Sequence, residues 1–182
     1  YAKSTLDAKI GELIHEVLED YAMAGNKSVF LNKLPLRKNH WKCQLQNHTT
    51  SDTSVNESIE YIFNSIKNCA TNSDLSWIFD ESNNTGKSEL EISWSKHGKI
   101  RTYIVDRTLI DSEGARWIID FKTNRTVPQW CHEVPLGIMR QMGAYTAALR
   151  DIYPDHRIRP CILWTATPTL MQLDPDQVMN AL

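Results

Sequence analysis

The sequence predicts a mixed α/β domain, with helices packed on one sheet. Three observations carry this. Apolar residues recur at helical spacing over residues 4–24. From residue 89 the period changes to two and holds through three short runs. After residue 135 the helical spacing returns once, and further strand-like runs follow. Side chains repeat every 3.6 residues on a helix and every two on a strand, so a change of period is a change of element. At 182 residues the chain is long enough for one domain with a real core, and it reads as a single domain over 1–182.

In "STLDAKIGELIHEVLEDYAMA" (4–24), Leu6, Ile10, Leu13, Ile14, Val17, Leu18 and Tyr21 form the apolar stripe; Ser4 or Thr5 can cap the helix and Gly25 can end it. Residues 26–58 hold little pattern and are rich in Asn, Ser and Thr, so they read as loop with a short helix at most. "ESIEYIFNSIKNCA" (57–70) puts Ile59, Ile62, Phe63 and Ile66 on one helical face, and "ESNNTGKS" (81–88) is a loop. Residues 26–85 together read as a helical and loop insertion.

"ELEISWS" (89–95), "KIRTYIVDRTLI" (99–110) and "ARWIIDFKT" (115–123) are three strands joined by the turns "KHG" and "DSEG". Turns this short make an antiparallel meander. Pro135 suits the first turn of a helix running to about Tyr153, where Pro154 and Asp155 stop it. "IRPCILWTA" (158–166) is a fourth strand and "TLMQL" (169–173) a fifth.

Composition is that of an ordinary globular protein: 41% hydrophobic and 23% charged. No apolar run approaches the ~20 residues of a membrane helix, and the N-terminus does not resemble a signal peptide. The chain begins at Tyr1 and enters a helical pattern almost at once, which predicts a domain of a longer protein. The net charge of −2 gives no bulk attraction for nucleic acid, so such a partner needs a local basic cleft or delivery by an attached module. Cys43, Cys69, Cys131 and Cys161 are far apart, without a C-x-x-C pair, and read as reduced thiols of a cytoplasmic protein.

One strand carries an anomaly. In "WIIDFKTNR" (117–125), Trp117, Ile119 and Phe121 fall on one face, and Ile118, Asp120 and Lys122 on the other. If Asp111 faces Ala115 across the preceding turn, Asp106 comes opposite Asp120, on the same face. Two carboxylates so placed repel unless one is protonated or a cation lies between them. Two readings fit: Arg107 and Lys122 neutralise the aspartates, or the pair holds a hard divalent ion. Gly11 lies one turn before His15, and glycine inside a helix costs ~1 kcal/mol relative to alanine, so something closely approaches that helix. Taken alone, His15 can pair with Glu19, and Gln141 with Tyr145 is an unremarkable i, i+4 pair.

Together, "GELIH" (11–15), "ELEIS" (89–93), "YIVDR" (103–107), "DFKT" (120–123) and "QMGAY" (141–145) resemble the PD-(D/E)xK nuclease superfamily in its RecB-like branch. They stand in family order. The stretches 88–173 and 4–20 are similar to the C-terminal nuclease domain of AddA-type helicase–nucleases. Tyr103 departs from the pattern, which usually has a small residue there.

The resemblance implies a restriction-endonuclease-like αβββαβ core with the helical insertion. It implies that His15, Asp106, Asp120 and the Phe121 backbone carbonyl hold Mg²⁺ or Mn²⁺. Lys122 would orient water or stabilise the phosphate, with Glu91, or Glu89 on the same face, as the first-strand acid. Gln141 and Tyr145 would line the DNA path or support the ligands. The expected substrate is single-stranded DNA, cut on the 3′-terminated strand with 5′-phosphate products. The expected partners are a helicase portion of the same chain and an AddB-like second subunit, with no membrane. The alternative is an inactive nuclease-like module that binds DNA ends or supports a helicase.

Overall fold

The computed structural model describes residues 5–80, 85–96 and 98–182. Ser4 and the turn residue His97 lie outside the described residues. The chain divides into two compact units. One comprises Tyr1–Glu81, Thr123–Arg125 and Thr165–Pro168; the other comprises Ser82–Lys122, Thr126–Trp164 and Thr169–Leu182.

The first unit is helical. Helix α1 (Thr5–Met23) buries Ile10, Leu13, Ile14, Val17, Leu18 and Tyr21, the predicted stripe except Leu6, which is half-buried in the first turn. Lys27 donates to the Tyr21 and Ala22 carbonyls, which satisfies two acceptors at the end of α1. Residues 26–58 are more helical than their sequence suggests. Helix α2 (Lys27–Lys33) is followed by a 3₁₀ turn (Leu34–Arg37) and α3 (Lys38–Gln46). The reason they escape notice is physical: α2 buries no residue, and α3 buries only Trp41 and Leu45. Helix α4 (Asp52–Thr71) starts five residues earlier than the apolar pattern, capped by Ser51, which accepts from the Ser54 N–H. A second 3₁₀ segment (Ser73–Phe79) buries Leu75, Ile78 and Phe79. Tyr21 ties α1 to the end of α4 through the Ala70 carbonyl.

Gly11 has its explanation inside this unit. A Cβ there would come within 3.0 Å of Thr123 Oγ1. The close approach is made by the residue that follows Lys122.

The second unit is a five-stranded mixed sheet. Its strands are β1 (Lys87–Lys96), β2 (Lys99–Ile110), β3 (Arg116–Lys122), β4 (Ile158–Trp164) and β5 (Thr169–Gln172), in that spatial order. Strands β1, β2 and β3 form the expected meander. The β3–β4 pair is parallel, its crossover made by α5 (Leu136–Ile152), and β5 returns antiparallel. This is the predicted mixed α/β order. A short helix, α6 (Pro175–Asn180), was not foreseen; it packs on α5 and buries only Val178. A Cβ at Gly143 of α5 would strike the Val178 carbonyl, so glycine there lets the two helices touch. The core between sheet and α5 contains Ile118, Ile162, Trp164, Met142, Tyr145 and Leu149. Each such large apolar side chain contributes ~1.5–3 kcal/mol by leaving water.

All four cysteines are free thiols, and burial pushes Cys69 and Cys161 up to about 12. No helix among the described residues is long and apolar enough to cross a membrane.

Candidate active site

The turn between β2 and β3 sets the site. The Asp111 N–H donates to the Ala115 carbonyl at 2.9 Å, the closure from which the sequence register follows. Asp111 Oδ1 accepts from the Glu113 and Ala115 N–H groups, and Oδ2 from the Trp117 indole. Gly114 takes the left-handed conformation, φ 79°, that the turn requires. Desolvation pushes the Asp111 carboxyl up, but these hydrogen bonds and the nearby Arg159 outweigh it and hold the group below its ordinary range.

The ladder then runs Ile110–Arg116, Leu109–Trp117, Thr108–Ile118 and Arg107–Ile119. The next pair in this register is Asp106 with Asp120. Pairing stops one step short of it. Asp106 reaches across instead, and its Oδ2 accepts the Phe121 N–H at 2.6 Å. The other ladder also skips this level. Strands β1 and β2 keep a constant register, but the position where Glu89 meets Asp106 is unpaired, and Glu89 has φ 47°. Non-glycine residues seldom take positive φ, and such outliers gather at functional sites. The sheet is therefore interrupted on both sides of Asp106. Register puts Glu89 level with Asp106, whereas Glu91 stands opposite Ile104. Both glutamates are exposed.

Asp120 is buried, with 3% of its surface exposed. Its Oδ2 lies 2.6 Å from Lys122 Nζ but outside hydrogen-bonding geometry, and it makes no hydrogen bond to any described group. Charge attraction is thus present without the directional bond that normally compensates a buried carboxylate oxygen.

Lys122 is held from its other side. Its Nζ donates to Gln141 Oε1 at 2.8 Å, Gln141 Nε2 donates to the Tyr145 hydroxyl at 2.7 Å, and that hydroxyl donates to the Ile104 carbonyl at 2.9 Å. The i, i+4 spacing on α5 puts Gln141 and Tyr145 on one face. Burial raises the Tyr145 phenol well above its ordinary value, with Asp120 and Asp106 adding to the shift, so it remains a donor at any working pH. Tyr103, the departure from the resemblance, packs edge-on against Tyr145 at 5.8 Å between ring centroids and supports it. Arg107 is buried and donates to Ser88 Oγ at 3.1 Å.

The sheet unit thus brings together Asp106, Asp120, Phe121, Lys122, Gln141 and Tyr145. His15 stands half-buried on α1 in the helical unit, and its assignment as a ligand rests on sequence pattern. The groups the sequence did not reveal are the Asp106–Phe121 bond and the left-handed Glu89. A glutamate carries no signal for positive φ.

The sequence pattern of the PD-(D/E)XK nuclease superfamily matches residues 2–173. The chain belongs to that superfamily. Nucleases of this superfamily generally use divalent metal ions, so the donor set can be tested against one. Among the described residues no group of three or more His, Cys, Asp and Glu gathers as a metal cage. Two carboxylates at a sheet interruption, one with a buried oxygen lacking a hydrogen bond, do fit a hard ion. Mg²⁺ commonly takes one or two carboxylates and keeps several waters. Softer or sulfur-ligated metals do not fit.

Among solved structures, an exonuclease candidate from Eubacterium rectale is similar at 11% identity and a TM-score of 0.54, over 94% of this nuclease-family chain and 62% of that one. The likeness is one of fold, and this chain spans less than two thirds of that protein. The structure of SSO0001 aligns over 93% of this chain and 81% of that one at 12% identity, with a TM-score of 0.38. No curated protein matches the sequence.

Proposed function

We propose that this superfamily member is a divalent-metal-dependent deoxyribonuclease that hydrolyses single-stranded DNA as an exonuclease. One observation carries the reading: Asp106, Asp120 and Lys122 converge where the sheet is interrupted, with the lysine held by Gln141. Asp106 and Asp120 would hold the ion, with the Phe121 carbonyl and, by its sequence pattern, His15. When bound, a divalent cation supplies positive charge for the scissile phosphate and a more acidic water. Lys122 stabilises negative charge building on the phosphate and orients the attacking water. Gln141 fixes the Lys122 ammonium, and Tyr145 fixes the Gln141 amide. The first-strand acid is Glu89 or Glu91. The AddA-like sequence stretches support placement within an ATP-dependent helicase–exonuclease of recombinational break repair, acting on the 3′-terminated strand beside an AddB-like subunit.

The test is melting temperature against Mn²⁺ or Mg²⁺ concentration, paired with cleavage of an end-labelled oligonucleotide. A specific site raises the melting temperature by mass action. The rise is expected in the wild type and absent in Asp120→Ala. A flat response together with no cleavage would favour the inactive, DNA-end-binding module.

A further inference from the structure

The sheet unit carries a groove of about 620 Å³ beside the candidate site, at the start of β2 and the first turns of α5. Three of its walls are cationic: Lys99, Arg101 and Arg140. Two are aromatic: Trp94 and Tyr103. The placement follows from the strand. Lys99, Arg101 and Tyr103 are two residues apart, so they share a face of β2, and Trp94 stands opposite Arg101 in the β1–β2 ladder. Among the described residues neither Lys99 nor Arg101 makes an ion pair, and both are exposed. Arg140 is steadied by donation from Nε to the Ala181 carbonyl at 3.1 Å.

The aromatic walls are already fixed. The Trp94 indole donates to Asp151 Oδ2 at 2.6 Å, and Tyr103 rests on Tyr145. Rigid aromatic rings beside solvent-facing cations suit a chain of alternating phosphates and flat bases. Single-stranded nucleic acid offers both, and stacking on aromatic side chains is worth ~1–3 kcal/mol per base. In a duplex each base face is already stacked on its neighbour, so these rings have nothing to take. The groove also ends at the chemistry. Gln141 is one of its walls, and the same side chain accepts from Lys122 at 2.8 Å.

We propose that this groove is the strand-holding site, binding single-stranded nucleic acid with phosphates on Lys99, Arg101 and Arg140 and bases against Trp94 and Tyr103. The proposal rests on the nuclease reading for its substrate class and adds where the strand lies before it reaches Lys122.

The test is binding of labelled oligo(dT) to the whole chain at low salt in EDTA, where cleavage does not intervene. The double variant Lys99→Glu, Arg101→Glu alters two exposed side chains, and its melting curve checks the fold. It should bind at least about tenfold more weakly, and the slope of log K against log salt should fall by about 1.4, since each lost single-strand phosphate contact removes about 0.7. An oligonucleotide carrying 5-iododeoxyuridine should photocross-link at Trp94 or Tyr103. Unchanged affinity in the folded double variant, equal affinity for duplex, or cross-links mapping only outside the groove would overturn the proposal. Because this arm contains no metal, failure of the nuclease reading shows separately, as a lost metal response with binding intact.

Discussion

Asp106 and Phe121 are joined by a bond that stands in for a missing rung of the sheet: the Phe121 N–H donates to Asp106 Oδ2 at 2.6 Å, one step past the last β2–β3 pair. Asp106 therefore has two separable duties, acceptor and charge. Asp106→Asn keeps a carbonyl oxygen for the N–H and removes the charge. It should melt close to wild type and lose the Mn²⁺-induced rise. Asp106→Ala should lose the rise and, in addition, about 1–3 kcal/mol of stability from the unsatisfied N–H. An Asn variant with a wild-type Mn²⁺ response would remove Asp106 from the metal site.

Lys122→Ala should lower cleavage at least ~10²-fold, the scale for deleting one group that stabilises transition-state charge. It also leaves Asp120 buried without its ammonium. A divalent ion then becomes the main compensating charge. The melting temperature of Lys122→Ala should accordingly depend on Mn²⁺ more steeply than that of the wild type. Near-normal cleavage would show that the lysine is not catalytic.

Tyr145→Phe removes the hydroxyl between Gln141 and the Ile104 carbonyl. The fold should survive with a loss of about 1 kcal/mol. If that loss falls on the positioning of Lys122, cleavage drops about fivefold, far less than in Lys122→Ala. Saturation kinetics would locate the loss mainly in kcat. A Tyr145→Phe rate equal to that of Lys122→Ala would mean the phenol acts directly on the reacting groups.

The hairpin turn should be sensitive to acid. The Asp111 carboxyl is held below its unfolded value of 3.8. A depressed pKa means the unfolded chain binds the proton more readily, so this stabilisation is present above that value and is lost as pH falls through the folded pKa. Melting temperature measured as pH falls below 3.8 should drop less steeply in Asp111→Asn than in the wild type. Equal acid slopes would show that the turn carboxylate contributes nothing.

A helicase fused to this domain should matter most when DNA is scarce. The overall charge of −2 gives little non-specific affinity, and a tether supplies effective concentration in its place. If the proposed helicase linkage holds, comparing the isolated chain with a helicase-fused version across a DNA titration should show a large difference at sub-saturating DNA and a small one at saturation. Equal rates at low DNA would refute the delivery argument.

The hairpin register was legible because it rests on local chemistry. The turn "DSEG" and strict alternation bring Arg107 opposite Ile119, the observed pair. That the ladder ends there was not legible, since it depends on Asp106 reaching a backbone N–H across the gap. Gly11 announced a close approach without naming Thr123, because the partner is distant in sequence. Helices α2 and α3 stayed hidden for want of buried residues to mark a period, and α6 for its six residues. Nothing in the sequence around Lys99 marks the proposed groove, which exists only once β2 aligns Lys99 with Arg101 beside Trp94. Arg107, one of the two cations that could neutralise the aspartates in the sequence, is buried and donates to Ser88 Oγ.

The division of the chain bears on how it can be shortened or recombined. The polypeptide passes between its two units at 81/82, 122/123, 125/126, 164/165 and 168/169. A gene fragment beginning after the helices would still encode Thr123–Arg125 and Thr165–Pro168, with Thr123 and Thr165 buried in the intact chain. No single cut in the reading frame separates the halves. Exchange of the helical half between relatives therefore calls for three coordinated replacements, two of them only three and four residues long. The tripeptide at 123–125 adjoins Lys122 directly, so any such graft edits the residue next to the proposed catalytic lysine.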